Sequence, residues 1–264
     1  MKKLIKRLDQ IQKTGEPGFM MHMVAGYPDL ASSEQIAEEI FRAGADLLEV
    51  QIPFSDPVAD GPVIAEANEV ALKNGVTVRE SLAMIQRIVA NHDQPVLIMT
   101  YFNIIHHYGV VAFCRQAADI GAQGLIVPDY PYDEESSNAL IQAAGKHGLA
   151  LIQVLASTTR EDRILKIAEH GSGFIYCMAR TGTTGKKTEV THETTTYLKT
   201  VRSHTSLPLA VGFGLTDKSQ VEALKPYAEI MVVGSALIRE YADRPLAEGL
   251  VRVNRFIHRL KDET

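Results

Sequence analysis

Short apolar runs alternate with helix-like stretches along the whole chain. Eight runs have the length and composition of strands: 19–24 (FMMHMV), 47–52 (LLEVQI), 96–101 (VLIMTY), 124–129 (GLIVPD), 149–156 (LALIQVLA), 173–178 (GFIYCM), 208–213 (PLAVGF) and 229–234 (EIMVVG). Between them lie helical patterns such as SSEQIAEEIFRAGA, VRESLAMIQRIVANH and REDRILKIAEHG. In the first of these, Ile36, Ile40 and Ala43 recur at helical spacing, with Ser33 and Glu34 near its start. PLAEGLVRVNRFIHRL reads as a closing helix. At the other end Leu4, Leu8 and Ile11 share one helical face, so an extra helix is expected before the first strand. Gly44, Gly121, Gly148 and Gly171 stand just before strands, where a left-handed C-cap is expected. Strands separated by helices pair in parallel through right-handed crossovers. Eight such units predict an α/β fold, a (β/α)8 TIM barrel forming a single domain over 1–264. An open doubly wound sheet would place a Gly-rich phosphate turn after the first strand. The segment there is AGYPDL, which is not that turn.

Composition narrows the class further. Hydrophobic residues make up 45% and charged residues 22%, as in ordinary globular proteins. The formal net charge is −5 and no basic stripe is apparent, which argues against nucleic acid as a partner. No apolar stretch approaches membrane-spanning length, and the basic N-terminus lacks a signal-peptide core. A cytoplasmic location is therefore expected. Cys114 and Cys177 sit in apolar segments and read as buried free thiols. No HxH, HExxH or CxxC spacing marks a metal site, and no Walker motif appears.

In barrels of this kind, chemistry sits at the C-terminal ends of the strands. Two Gly-rich loops end the seventh and eighth runs, VGFG (211–214) and VVGSALIREY (232–241). Backbone N–H groups at such turns and at a helix start suit phosphate oxygens, although either loop alone could be a plain tight turn. In the second run, alternation puts Leu48, Val50 and Ile52 toward the outer helices and Leu47, Glu49 and Gln51 into the barrel. An ionised carboxylate there is costly unless paired or protonated, and no inward Lys or Arg is found in the eight runs. Glu49 is thus a candidate general acid–base group. Asp60, in VADGP, hangs from the same strand end; Asp56 reads as a group bonding its own loop. His106 and His107 read as a solvated loop. The segment 179–193 is long and rich in Gly, Thr and Lys, a candidate gate. Lys73, Lys166 and Lys199 fall in helical stretches, so no Schiff-base lysine stands at a strand end. These features predict a cofactor-free enzyme for a phosphorylated small molecule.

The stretch EVQIPFSDPVADGP closely resembles the signature of the tryptophan synthase alpha chain family. AGYPD, TYFN, VPDYP, GTTG, VGFG and VVGSA resemble that family's segments in the same order, over essentially the whole chain. The resemblance implies retro-aldol cleavage of indole-3-glycerol phosphate to indole and glyceraldehyde 3-phosphate. It implies that Glu49 protonates the ring carbon and serves the glycerol hydroxyl, and that Asp60 meets the indole N–H. It implies phosphate binding by Gly185, Gly212, Phe213, Gly214, Gly234 and Ser235, substrate contact by Tyr176, and lid roles for Arg180 and Thr184. It also implies a PLP-dependent beta chain as partner in an α2β2 complex, with the PLP in that partner and no cofactor in this chain. The acidic loop, Asn103 and Pro131 would face the partner.

The chain departs from the family pattern at Gln51, where Gly is usual, and at His22, where an apolar or aromatic residue is usual. Ala179 and Ile104 are smaller departures, in the lid and the partner-facing segment. Two polar groups beside the ring pocket either tune Glu49 and reshape the pocket or are compensated locally. Other functions to weigh are a different phosphate-binding barrel lyase or isomerase, and a non-catalytic activator of the beta chain. An isomerase of the histidine-biosynthesis type needs Asp on the first and fifth strands, and neither run carries one. Retention of both Glu49 and Asp60 argues against a pure activator.

Overall fold

The computed structural model describes residues 1–130, 138–179 and 190–261. All eight apolar runs are strands: β1 (Gly18–Val24), β2 (Leu47–Gln51), β3 (Val96–Met99), β4 (Gly124–Ile126), β5 (Ala150–Ala156), β6 (Ile175–Met178), β7 (Leu209–Gly212) and β8 (Ile230–Val233). They pair in parallel in chain order, and β8 returns to β1, closing the barrel. The helices are α1 (Lys2–Thr14), α2 (Leu30–Arg42), α3 (Pro62–Lys73), α4 (Val78–Asn91), α5 (Phe102–Tyr108), α6 (Val110–Asp119), α7 (Asn138–Lys146), α8 (Glu161–Glu169), α9 (His192–Ser203), α10 (Lys218–Leu224), α11 (Ser235–Tyr241) and α12 (Leu246–Lys261). Among the described residues none of these is long and apolar enough to cross a membrane.

The core has two layers, as alternation requires. Leu48, Val50 and Ile52 join the large apolar layer between barrel and helices, while Leu47 lies in a second cluster with Met20, Leu97 and Ile152 inside the barrel. The face of α1 that carries Leu4, Leu8 and Ile11 belongs to that inner cluster, so α1 closes the mouth at the strand N-termini. Its position is fixed by Arg7, whose guanidinium lies 2.6 Å from Asp46, and Asp46 in turn accepts the Phe19 N–H at 2.7 Å. The barrel interior is therefore plugged at one end and available for chemistry at the other.

Several strands stop short of their apolar runs. β4 ends at Ile126, two residues before Pro128, which has no N–H to donate to a ladder. The residues beyond a strand's last bond are those that turn over the pocket. Four local expectations are corrected. Gly44, Gly121 and Gly148 do take positive φ (91°, 87° and 68°), but Gly171 does not; Gly173 does, at 81°. A Cβ at Gly171 would lie 2.9 Å from Ile175 Cδ1, so close packing rather than backbone handedness is what that glycine serves. Helix α2 starts at Leu30, before Ser33, because Asp29 caps it through the Ser32 N–H at 2.9 Å. His106 and His107 lie on α5 rather than in a loop, though both are exposed. The segment expected to be loop as far as 193 gives way to α9 at His192, capped by Thr191. Cys114 and Cys177 are free and buried.

Candidate active site

A pocket opens at the C-terminal end of the barrel, lined by side chains from β1, β2, β6 and the loops after β2, β7 and β8. Of the residues singled out in sequence, His22, Glu49, Asp60, Tyr176, Gly212, Phe213, Gly214, Gly234 and Ser235 all line it. Gln51 is fully buried beneath the rim. Arg180, Thr184, Gly185 and Pro131 lie outside the described residues.

Glu49 is 3% exposed and points inward, as its place in β2 requires. The parallel register sets His22 of β1 directly beside it. His22 Nδ1 lies 3.2 Å from Glu49 Oε2, an ion-pair distance, although Oε2 has no aligned hydrogen bond. The sequence held no inward Lys or Arg; the buried carboxylate is faced by an imidazole instead. Burial drives His22 down, but the nearby charges of Glu49 and Asp60 outweigh burial and carry it above its ordinary value.

Asp60 is half-buried in the loop that links β2 to α3. Its Oδ2 accepts the Gln51 side-chain amide at 2.6 Å. Burial raises its carboxyl above the ordinary range, opposed by the Gln51 bond, the His22 charge and a Tyr101 bond. The same Gln51 amide lies 3.3 Å from Asn68 Oδ1, which also accepts the Phe54 N–H at 2.9 Å. Tyr101 Oη accepts the Ala59 N–H at 3.1 Å, and its ring stacks on Phe54 with centroids 5.1 Å apart. The loop is thereby tied down from below by Asn68 and from β3 by Tyr101. Asp56 stays at the surface, bonded by Ser55 at 2.5 Å within its own loop.

Tyr176 stands on β6, and burial, then the charges of Glu49 and Asp60, hold its phenol well above its ordinary value, so it is neutral. A Cβ at Gly212 would come within 3.0 Å of the Tyr176 ring and hydroxyl. That position needs glycine because the ring lies against the backbone of β7. Gly234 precedes α11, whose first N–H groups have no partner within the helix. Among the described residues no cluster of three His, Cys, Asp or Glu side chains could hold a metal ion.

Reading the sequence missed Asn68 and Tyr101. Tyr101 stands two residues past the end of β3, and the rule that strand ends carry the site could have found it. Asn68 lies mid-helix on α3, where only the three-dimensional packing shows that its amide turns back under the loop.

The family model described as tryptophan synthase alpha chain matches residues 8–263. The tryptophan synthase alpha chain of Syntrophotalea carbinolica is 46% identical over 235 residues, covering 88% of this chain and 92% of its own. That of Desulforapulum autotrophicum is 44% identical over 241 residues, covering 91% and 93%. Among solved structures, a chain of Mycobacterium tuberculosis tryptophan synthase matches with a TM-score of 0.89 at 31% identity, covering 98% of this chain and 97% of that one. The tryptophan synthase alpha subunit of Legionella pneumophila matches with a TM-score of 0.87 at 28% identity, covering 98% of both. With the family model spanning nearly its whole length and the same closed barrel beneath it, this chain belongs to the tryptophan synthase alpha chain family.

Proposed function

We propose that this chain is the lyase subunit of tryptophan biosynthesis, cleaving indole-3-glycerol phosphate into indole and glyceraldehyde 3-phosphate with Glu49 and Asp60 as its working carboxylates. The observation that carries the assignment of roles is their placement. A buried inward Glu49 and a half-buried rim Asp60 face one pocket whose other side is Gly-rich. Glu49 delivers a proton to the ring carbon that bears the side chain. The ring nitrogen then carries positive charge, which the Asp60 carboxylate faces through the N–H. Loss of the glycerol hydroxyl proton to Glu49 forms the aldehyde, and the breaking carbon–carbon bond returns its electron pair to the ring. One proton is given and one received, so the subunit ends as it began. Tyr176, neutral and packed on Gly212, flanks the ring. Backbone N–H groups of Gly212, Phe213, Gly214, Gly234 and Ser235 bind the phosphate, with Gly185 from the lid segment. Arg180 and Thr184 are the lid residues that the family resemblance implies.

The partner is the beta chain. The PLP cofactor belongs to that partner, this chain carries none of its own, and the assembly is α2β2 in the cytoplasm. The surface around the site supports a docked neighbour: Val58, at the tip of the acidic loop, is 82% exposed, and Asn103 on the adjacent α5 is exposed too.

The test is direct. The purified chain, alone and with a beta chain, is given indole-3-glycerol phosphate and indole release is followed. Release is expected in both cases, and Glu49→Gln should lower it by roughly 10²–10⁴-fold, the usual size of a general acid–base contribution. Absence of indole in both would overturn the assignment. Release that survives Glu49→Gln would overturn the role of Glu49.

A further inference from the structure

His22, Gln51 and Asn68 have no place in the chemistry just described, yet they surround both carboxylates. His22 is 5% exposed, Gln51 0% and Asn68 1%. Buried polar side chains are costly unless their bonds are made: His22 faces Glu49, Gln51 bonds Asp60, and Asn68 bonds Gln51 and the backbone at Phe54 and Ile64. The Gln51 amide spans Asp60 and Asn68, and Asn68 reaches the Phe54 N–H, so Asp60 is clamped to the wall of the barrel. Among the described residues Glu49 Oε2 has no hydrogen bond, and His22 Nδ1 lies 3.2 Å from it. The backbone register fixes this approach, since His22 and Glu49 are partners across β1 and β2. Gly234, just after β8, lies beside the His22 ring: a Cβ there would sit 3.6 Å from His22 Cδ2, an ordinary contact.

We propose that His22 is a positioning residue that holds Glu49 and stores its proton, while Gln51 and Asn68 hold the Asp60 carboxylate toward the ring nitrogen. The inference rests on the lyase reading above and deepens it. In the proposed cycle the pair holds one proton, on His22 Nδ1 at the outset, across the 3.2 Å to Glu49 Oε2. It passes from Nδ1 to Glu49 Oε2 and on to the ring carbon, leaving the imidazole neutral. When the carbon–carbon bond breaks, Glu49 takes the hydroxyl proton and returns it to Nδ1. The charge of the pair is the same before and after. Among the described residues, the titratable groups that line the pocket with His22 are Glu49 of β2, Asp60 of the following loop and Tyr176 of β6; β8 contributes uncharged Val232, and the turn into α11 uncharged Gly234 and Ser235. Both carboxylates favour the imidazolium, and burial opposes it.

Two readouts separate this from a purely structural histidine. First, the His22 imidazole is titrated by NMR in the substrate-free chain, in wild type and in Glu49→Gln. A midpoint above the ordinary value of 6.5 is expected, and it should fall when Glu49 is neutralised. Second, pH profiles of kcat and KM for indole release are compared between wild type and His22→Gln, which keeps a buried polar group but cannot store a proton. A fall in kcat of roughly tenfold, with KM changed less than about threefold, is expected, and the alkaline limb should move to lower pH. A His22 titration indifferent to Glu49→Gln, or an unchanged profile in His22→Gln, would overturn the proposal. If wild type makes no indole, the lyase reading fails, and the NMR comparison still decides whether the pair exists. If His22→Gln does not fold, the Glu49→Gln comparison stands on its own.

Discussion

On the proposed mechanism Asp60 works ionised, in a place where burial favours its neutral form. Burial pushes its carboxyl up, and the Gln51 amide, the His22 charge and the Tyr101 hydroxyl each push it back. Tyr101 has a second duty, because its oxygen accepts the Ala59 N–H and so fixes the loop that carries Asp60. Tyr101→Phe removes both bonds at once. Its expected effects are a further rise of the Asp60 carboxyl, seen as an acid limb of the pH–rate profile displaced to higher pH, and a stability loss of about 1 kcal/mol. The profile and a urea melt measure the two separately, and an acid limb that stays in place would sink the idea that Tyr101 supports ionised Asp60. At this scale the sequence pointed to Glu49, since a carboxylate on the inward face of an apolar strand is too costly to bury without a partner or a task, and to Asp60 only because its loop hangs from the same strand end. Their partners were harder to see. Gln51 could be placed on the inward face by counting, but its bonds to Asp60 and Asn68 span 9 and 17 residues of chain and depend on how α3 packs.

Elements divide the barrel into an end that holds it together and an end that does the chemistry. α1 illustrates the first. Its apolar face was legible as Leu4, Leu8 and Ile11, yet periodicity says only that the face must be covered, not by what. The cover is the inside of the barrel floor, reached by residues near the strand N-termini. Leu4→Ala should therefore cost about 2–5 kcal/mol, as for other fully buried leucines, while kcat stays close to wild type because the pocket is at the other mouth. A large fall in kcat in folded Leu4→Ala would show that the two ends are coupled. The wall between β4 and β5 is equally tight. A Cβ on Gly124 would lie 2.6 Å from the Ala150 carbonyl oxygen, and a backbone atom cannot step aside as a side chain can. Gly124→Ala should cost about 1–3 kcal/mol in a denaturant melt, and a neutral result would mean that the strands separate more easily than their register implies. Handedness at Gly171 and Gly173 was not legible for a similar reason: two glycines lie two residues apart, and which one turns left is decided by neighbours such as Leu4 and Ile175.

Across the whole molecule, the site sets a pH dependence that the rest of the fold has to absorb. His22 and Asp60 are both raised in the folded state, so each binds protons more tightly folded than unfolded. Stability falls with pH wherever the native state holds more protons. For Asp60 this occurs as pH rises from the ordinary carboxylate range, 3.8, through its raised value. For His22 the contribution is fully present below 6.5 and is lost as pH rises through its raised value. The two windows start from different ordinary values, 3.8 and 6.5, but the groups are coupled, so the slope is read above 6.5, where the His22 contribution is being lost. Comparing wild type with His22→Phe in urea melts between about pH 5.5 and 9 isolates the histidine. The absolute offset includes the packing of the new ring against Gly234 and Ile64 and is of no consequence; only the slope matters. The difference in unfolding free energy, wild type minus variant, should decline steadily as pH rises from 6.5. A difference that grows with pH would mean that burial outweighs the charges of Glu49 and Asp60, leaving His22 neutral beside an unpaired carboxylate.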